Sequence, residues 1–246
     1  MSTNRLNIDS QQQIVESADR AYRGRAEIHN VRESVELLRN APGHVDEYET
    51  AWRLSRALFF LGQESEAEKS GGSASLRRQS ARKLHAQGVK AGRRARQLRP
   101  AGVEGHFWAG VNLALLAAHE PMRRGAIHVL QAKRALQTAT AIDAAYHGAG
   151  PLRVLARLQH KLPRWLGGGA ARARTNFERA IDIAPANTVT RIYFAELLLE
   201  VGETTRARSE LENVLSAPFD PEWAFEVERD RQLAKKMLAN YPGLEG

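Results

Sequence analysis

The fold is decided by residues 168–218, which read GGAARARTNFERAIDIAPANTVTRIYFAELLLEVGETTRARSELENVLSAP. Five positions of this stretch recur 34 residues later with a side chain of similar size. The pairs are Gly168 with Gly202, Ala173 with Ala207, Phe177 with Leu211, Ala180 with Val214 and Ile181 with Leu215. The stretch therefore predicts one helical unit that is written twice.

A 34-residue period with a glycine turn, then a small residue and a bulky one four positions later, is the tetratricopeptide (TPR) signature. A fainter copy lies upstream, where Leu54 and Ser55 stand 140 positions before Phe194 and Ala195. We expect Ser55 to face a partner helix, because a large side chain there would push the helices apart. Apolar residues elsewhere recur at helical spacing, and no period-two alternation persists over strand length. We predict an all-α, TPR-like solenoid of helical hairpins with about eleven helices in a single domain.

The predicted domain covers residues 11–241. Residues 1–10 are polar and are expected to be disordered. Residues 63–75 carry too little apolar surface to pack, which predicts a mobile insertion. Residues 221–241 predict a terminal helix that caps the open end of the stack. Gly88 and Gly92 fall inside a predicted helix at a cost of about 1 kcal/mol each, so close packing must compensate for them.

Composition limits the chemistry and the location of the chain. Zero cysteines exclude disulfides, thiolate catalysis and thiolate metal sites. No window approaches the roughly 18 uninterrupted apolar residues of a membrane helix, and the start lacks the apolar core of a signal peptide. We expect a cytoplasmic protein without a transmembrane segment, or a periplasmic one if a leader segment has been removed.

The net charge of +8 is concentrated between Glu68 and Glu104, where no acidic residue occurs. Such a block attracts nucleic acid, an acidic protein or an anionic surface, and it also occurs as a plain solvated face. Nucleic acid is the disfavoured partner, because no aromatic residue lies between Lys69 and Arg99 to stack on bases. The candidate patch for an anionic partner, on the helix predicted over residues 76–99, is Arg78, Arg82, Lys83, Lys90, Arg93 and Arg94.

Motifs of catalysis are incomplete. The glycines at 167–169 lack the Gly-Lys-Ser/Thr ending of a phosphate loop, so a turn is the better interpretation. Ser80 and Lys83 match a bare Ser-x-x-Lys pattern without the accompanying elements of acyl-transfer enzymes. The eight histidines form no His-Glu-x-x-His pair. We predict no catalytic residue, no metal and no cofactor, and therefore no enzyme.

One part of the chain is more specific than a generic TPR array. The run YHGAGPLRVLARL at 146–158, then Lys161-Leu162-Pro163 and FERA at 177–180, resembles the TRAP transporter T-component (TatT-like) family of TPR proteins. FWAGVN at 107–112 and residues 218–223 are similar to the middle and end of that family. The spacing of 39 between Ile142 and Ile181, longer than the regular 34, favours this family over a regular array.

The resemblance implies cryptic TPR hairpins around a hydrophobic channel, assembly as a homotrimer, a protein partner and no enzymatic activity. We expect a non-enzymatic scaffold for protein–protein interaction. The alternatives are a carrier of a small apolar ligand in an internal channel, and nucleic-acid or anionic-surface binding through residues 76–99.

The candidate residues for a ligand or partner lie on the first helices of hairpins, which line the inner surface of such stacks. An aromatic ring beside a guanidinium can anchor a peptide carboxylate or an aromatic ligand. Plain packing is the alternative for Trp108 and Tyr193, and Arg153 and Arg157, one turn apart, fit an anion contact or an ion pair equally well. The candidates are Trp108, Asn112, Arg153, Arg157 and Tyr193.

Overall fold

A computed structural model describes the backbone of residues 2–41, 46–67 and 73–241, with side chains from residue 11 onward. This part of the chain contains eleven α-helices and one short 3-10 helix, and no strand, which confirms the predicted all-α, TPR-like fold. The α-helices are α1 (Ser2–Arg23), α2 (Ile28–Asn40), α3 (Tyr48–Ala67), α4 (Ala74–Leu98), α5 (Val103–Ala118), α6 (Met122–Ile142), α7 (Tyr146–Lys161), α8 (Ala170–Ile183), α9 (Thr188–Glu200), α10 (Thr204–Leu215) and α11 (Ala224–Asn240).

The helices form two compact units, Met1–Ile142 and Asp143–Gly246, where the sequence predicts a single domain. In the first unit each helix from α1 to α6 contacts the next, and α3 also contacts α1 and α5. In the second unit α7 to α11 follow the same rule, and α9 also contacts α7 and α11. The division falls just before a left-handed stretch at His147, Gly148 and Ala149, which interrupts the regular helical repeat.

The 34-residue repeat sets the core of the second unit. The 3-10 helix Arg164–Leu166 takes up the residues that lengthen the upstream spacing, and Gly202, at a φ of +84°, forms the turn between α9 and α10. Left-handed backbone of this kind favours glycine because it has no Cβ. Three repeat pairs are fully buried: Ala173 with Ala207, Phe177 with Leu211, and Ala180 with Val214.

The first unit is held by close approaches between helices. Ser55 faces α4 as predicted, and its hydroxyl donates to the carbonyl oxygen of Gly88 at 2.8 Å. A Cβ on Gly88 would lie 2.4 Å from Asn112 Oδ1, and one on Gly92 would lie 2.7 Å from the backbone nitrogen of Ala109. The two glycines therefore let α4 lie directly against α5, and that contact offsets their poor helix propensity.

Three boundaries differ from the sequence analysis. Helix α1 extends back to Ser2 because no glycine or proline interrupts residues 2–23, so its backbone includes most of the segment predicted as disordered. Of the predicted insertion at 63–75, residues 63–67 continue α3, and Ser73 caps α4 by accepting a hydrogen bond from the Leu76 amide. Residues 68–72 of that insertion lie outside the described residues.

Helix α11 packs on α9 and α10. Among the described helices, none is both long and apolar enough to cross a membrane.

Candidate functional site

Trp108 and Asn112 lie in the interior of the first unit. The Trp108 side chain is 1% exposed, and its ring packs against Phe59 and Phe107 at centroid distances of 5.5 and 4.8 Å. Asn112 is fully buried, and its Nδ2 donates to the carbonyl oxygens of Ser55 at 3.0 Å and Trp108 at 2.9 Å. These contacts favour the packing alternative for Trp108 and make Asn112 a polar link between α3 and α5.

His85 completes this polar link from α4. Asn112 Nδ2 donates to two carbonyls, so the amide oxygen Oδ1 is the acceptor on the other side. His85 Nδ1 therefore carries a hydrogen and donates it to Asn112 Oδ1 at 3.2 Å. The His85 ring also stacks on the His119 ring, and the two ring centroids are 5.9 Å apart. Burial lowers the pKa of His85 to about 4, so the ring is neutral at physiological pH.

A groove between α2, α3 and α4 combines an apolar floor with a cationic rim. Its cavity is about 570 Å³, a size typical of binding sites. We call it the basic groove. No acidic residue lines it among those described. Its floor is Ala51, Leu54, Leu58, Val89 and Ala91, its rim cations are Arg39, Lys90, Arg93 and Arg94, and Ala86, Gln87 and Gln97 complete the lining.

The rim cations of α4 differ in how far their charge is balanced. Lys90 is exposed and forms no ion pair with any residue that the structure describes. Arg93 donates to Gln131 Oε1 at 2.8 Å, which is a neutral partner. Arg94 pairs with Asp46. Charge is thus available to an incoming anion mainly at Lys90 and Arg93.

Arg39 joins α2 to α4 across the groove. Its Nη2 donates to Gln87 Oε1 at 2.5 Å, and its Nη1 pairs with Glu36 at 3.1 Å. The sequence does not mark Arg39 or the floor residue Leu54 as parts of a site, because they lie on α2 and α3, away from the charged stretch of α4. The sequence does predict one lining stripe on α4, because its residues recur at helical spacing beside the apolar stripe. This stripe is Ala86, Lys90, Arg93 and Gln97.

The remaining residues of the predicted basic patch lie outside the basic groove. Arg78 and Lys83 are exposed on the N-terminal half of α4. Arg82 pairs with Glu120 at 2.7 Å, and a cavity of about 280 Å³ beside them is also lined by Arg78 and His119. The structure therefore divides the patch, with Lys90, Arg93 and Arg94 in the groove and the other three residues away from it.

Arg157 and Tyr193 lie together in the second unit. The Arg157 guanidinium lies 4.2 Å from the centre of the Tyr193 ring, and Nη1 is 2.5 Å from Glu196 Oε2. One turn further along α7, Lys161 pairs with Glu200 at 2.5 Å. For Arg157 these contacts favour the ion pair over the anion site.

Arg153 is placed quite differently from Arg157. It is 4% exposed and donates through Nη1 to the Gly148 carbonyl at 2.8 Å and to Asn187 Oδ1 at 3.3 Å. No described carboxylate lies within ion-pair distance of it. Burial lowers the pKa of Arg153 to about 10. The guanidinium is 5.7 Å from the centre of the Trp223 ring.

Next to Arg153 is a second cavity, of about 410 Å³, which we call the Asn187 cavity. Asn187 is not among the predicted site residues, although an asparagine directly before the predicted helix at Thr188 is an N-cap signal. Asn187 Oδ1 accepts from the Thr190 amide at 3.1 Å. The cavity is lined by Gly148, Ala184, Pro185, Ala186, Asn187, Thr188, Pro218, Phe219, Asp220, Pro221, Trp223 and Val227.

The glycines at 167–169 form a turn. Their amides donate to the carbonyl oxygens of Arg164, Pro163 and Gln159 at 2.9, 3.1 and 2.8 Å, which leaves none of the three for a phosphate. Among the described residues, no group of three or more His, Asp or Glu side chains is placed to hold a metal ion.

Comparisons with known proteins agree with this architecture. A family model described as TRAP transporter T-component matches residues 44–243. No curated protein matches the chain. Among solved structures, the chain is similar to TTC0263, a thermophilic TPR protein in Thermus thermophilus, with a TM-score of 0.64 and 16% identity. That likeness covers 90% of this chain and 99% of the other, and at this identity it shows the fold.

Proposed function

Since the chain belongs to the TRAP transporter T-component family of helical proteins, we propose that it is a non-catalytic, TPR-type scaffold whose basic groove holds a helical segment of a partner protein. The observation that carries this proposal is the lining of the basic groove, where cations surround an apolar floor without any acidic residue among those described. The predicted homotrimer, the apolar ligand in an internal channel and the cytoplasmic location stay predictions.

The chemistry of the basic groove selects the occupant. At the floor, Leu54 is partly exposed and offers apolar contact, and the buried Leu58 lies beneath. An amphipathic helix buries its apolar face in such grooves through residues at helical spacing. Lys90, Arg93 and Gln97 follow one face of α4, so acidic residues one turn apart on the occupant would meet them in register. The partner is therefore a helix with an apolar stripe flanked by Asp or Glu.

A designed probe tests this proposal. The probe is a fluorescein-labelled helical peptide with a leucine stripe flanked by glutamates, and fluorescence anisotropy measures its binding to the full chain. The double variant Lys90→Glu and Arg93→Glu should weaken binding by about a hundredfold or more, because like charges then face each other across an apolar contact.

The matched control is the double variant Arg78→Glu and Lys83→Glu, which makes the same charge change on the same helix outside the groove. We expect it to change the affinity less than about threefold, through long-range attraction alone. Equal losses of affinity in the two double variants would show that binding depends on the net charge of the protein, and would refute the groove as the binding site. Tighter binding of a single-stranded oligonucleotide than of the peptide would favour nucleic acid instead.

A further inference from the structure

The Asn187 cavity presents hydrogen-bond donors that nothing in the described chain uses. Asn187 is 9% exposed, and its Oδ1 is committed to the Thr190 amide, the Thr190 hydroxyl and Arg153. Its Nδ2 has no hydrogen-bond partner among the described residues. This nitrogen lies 2.8 Å from the place that a Cβ on Gly148 would take, at the wall of the cavity. The residue is otherwise buried and lines the cavity, so this donor remains available to an acceptor that enters there.

The start of α9 adds two more donors. The backbone amides of Thr188 and Val189 precede the first amide that finds an acceptor within the helix, and neither has a hydrogen-bond acceptor in the part of the chain described. Asn187 caps only the Thr190 amide. Free amides at the start of a helix of 13 residues carry a partial positive charge, which attracts anions.

Charge behind the cavity has the same sign. Arg153 is buried without an ion pair among the described residues, and its Nη1 donates to the same oxygen of Asn187 that caps α9. Such a bond draws electron density from the amide and strengthens Nδ2 as a donor. Asp220 is the one acidic residue in the described lining, and its Oδ1 already accepts from the Glu222 amide at 2.9 Å. Asp230, which accepts from the Thr188 hydroxyl, is paired with Arg229 at 2.8 Å.

The other walls are apolar and stiff. Pro185, Pro218 and Pro221 fix three stretches of backbone, and Trp223 and Phe219 supply ring surface. Phe219 is 72% exposed, which is unusual for a phenylalanine and leaves its ring open to a ligand. A volume of about 410 Å³ suits a small molecule.

We propose that the Asn187 cavity binds the carboxylate of a small apolar acid. The carboxylate oxygens accept from Asn187 Nδ2 and from the first amides of α9, and the apolar body of the acid lies against Trp223 and Phe219. This site shares no residue with the basic groove, so the proposal does not depend on the proposed scaffold function.

Matched pairs of probes test the site. The probes are butyrate, hexanoate and benzoate, each beside its primary amide, and ¹H–¹⁵N NMR of the full chain follows the Thr188 amide and the Trp223 indole. At least one acid should shift both signals saturably and bind about tenfold or more tighter than its amide, because charge-assisted hydrogen bonds are lost with the charge. Inorganic phosphate, which lacks an apolar body, should bind more weakly than that acid.

Variants locate the binding. Ala186→Trp places an indole on an exposed lining position and should reduce the affinity at least about tenfold, whereas Ala171→Trp, on the exposed side of α8, should leave it unchanged. Phe219→Ala, at an exposed position, should weaken binding without disturbing the fold. The proposal is overturned if no acid gives saturable shifts, if acid and amide bind equally, if phosphate binds as tightly as the best acid, or if neither Ala186→Trp nor Phe219→Ala weakens binding.

Discussion

Protonation of His85 should destabilise the first unit as the pH falls. Its ring is 1% exposed, lies between Asn112 and His119, and has its pKa lowered to about 4 by burial. The charge of His119 lowers the pKa further, while the hydrogen bond to Asn112 raises it. Because the folded pKa lies below the ordinary value of 6.5, the unfolded chain takes up the proton first. The associated stability is complete above pH 6.5 and is lost as the pH falls toward 4.

The loss can be worked out from these two pKa values. Linkage gives a decrease in the free energy of unfolding of about 2 kcal/mol between pH 7.5 and pH 5, and about 3 kcal/mol by pH 4. Urea unfolding at a series of pH values measures it. In a background with Trp165→Phe and Trp223→Phe, fluorescence reports only Trp52 and Trp108, which are both in the first unit.

His85→Gln removes the titrating group and keeps a side chain that can donate to Asn112. Its free energy of unfolding should therefore fall less between pH 7.5 and pH 5, by about the 2 kcal/mol assigned to His85. His29→Gln, at an exposed position of the same unit, is the control and should follow the parent protein. Parallel pH profiles for the parent protein and His85→Gln would refute the reasoning.

Two further predictions concern packing. Gly92→Ala raises helix propensity but pushes a Cβ against the backbone of Ala109. The free energy of unfolding, measured in urea, should therefore fall by roughly 1–3 kcal/mol. An increase would contradict the close approach of α4 and α5. Arg153→Met should cost about 1–3 kcal/mol, because it removes the donor to the partly buried Gly148 carbonyl and to the buried Asn187 Oδ1. Arg157→Met loses a partly exposed pair with Glu196 and should cost less than about 1 kcal/mol. Equal losses in denaturation would contradict the different environments of the two arginines.

The repeat is the part of the fold that the sequence predicts best. A period of 34 residues fixes which side chains share a helix face, and Phe177 and Leu211 are buried together for that reason. The division into two units has no such signal. The division lies just before the left-handed backbone at His147 and Ala149. Non-glycine residues rarely have a positive φ, so their residue types do not predict this conformation.

The candidate sites show the same limit. Arg153 and Arg157 look equivalent in sequence because they are one turn apart on α7. The kink before Arg153 turns the Gly148 carbonyl toward it, while Arg157 meets Glu196 from a helix nearly 40 residues later. Lys90 can be predicted from sequence as part of a charged stripe. The groove beside it also needs Leu54 on α3, and only the packing of the helices brings that residue next to the stripe.

The most direct test of the basic groove is site-specific photo-crosslinking in the native cell. A photo-reactive phenylalanine analogue replaces Ala86, an exposed residue in the groove, or Ala171, an exposed residue outside it, and mass spectrometry identifies the crosslinked peptides. We expect Ala86 alone to capture a protein segment with an apolar stripe flanked by acidic residues. Capture of a basic or non-amphipathic segment at Ala86, the same products from both positions, or no product at Ala86 would contradict the groove as the partner site.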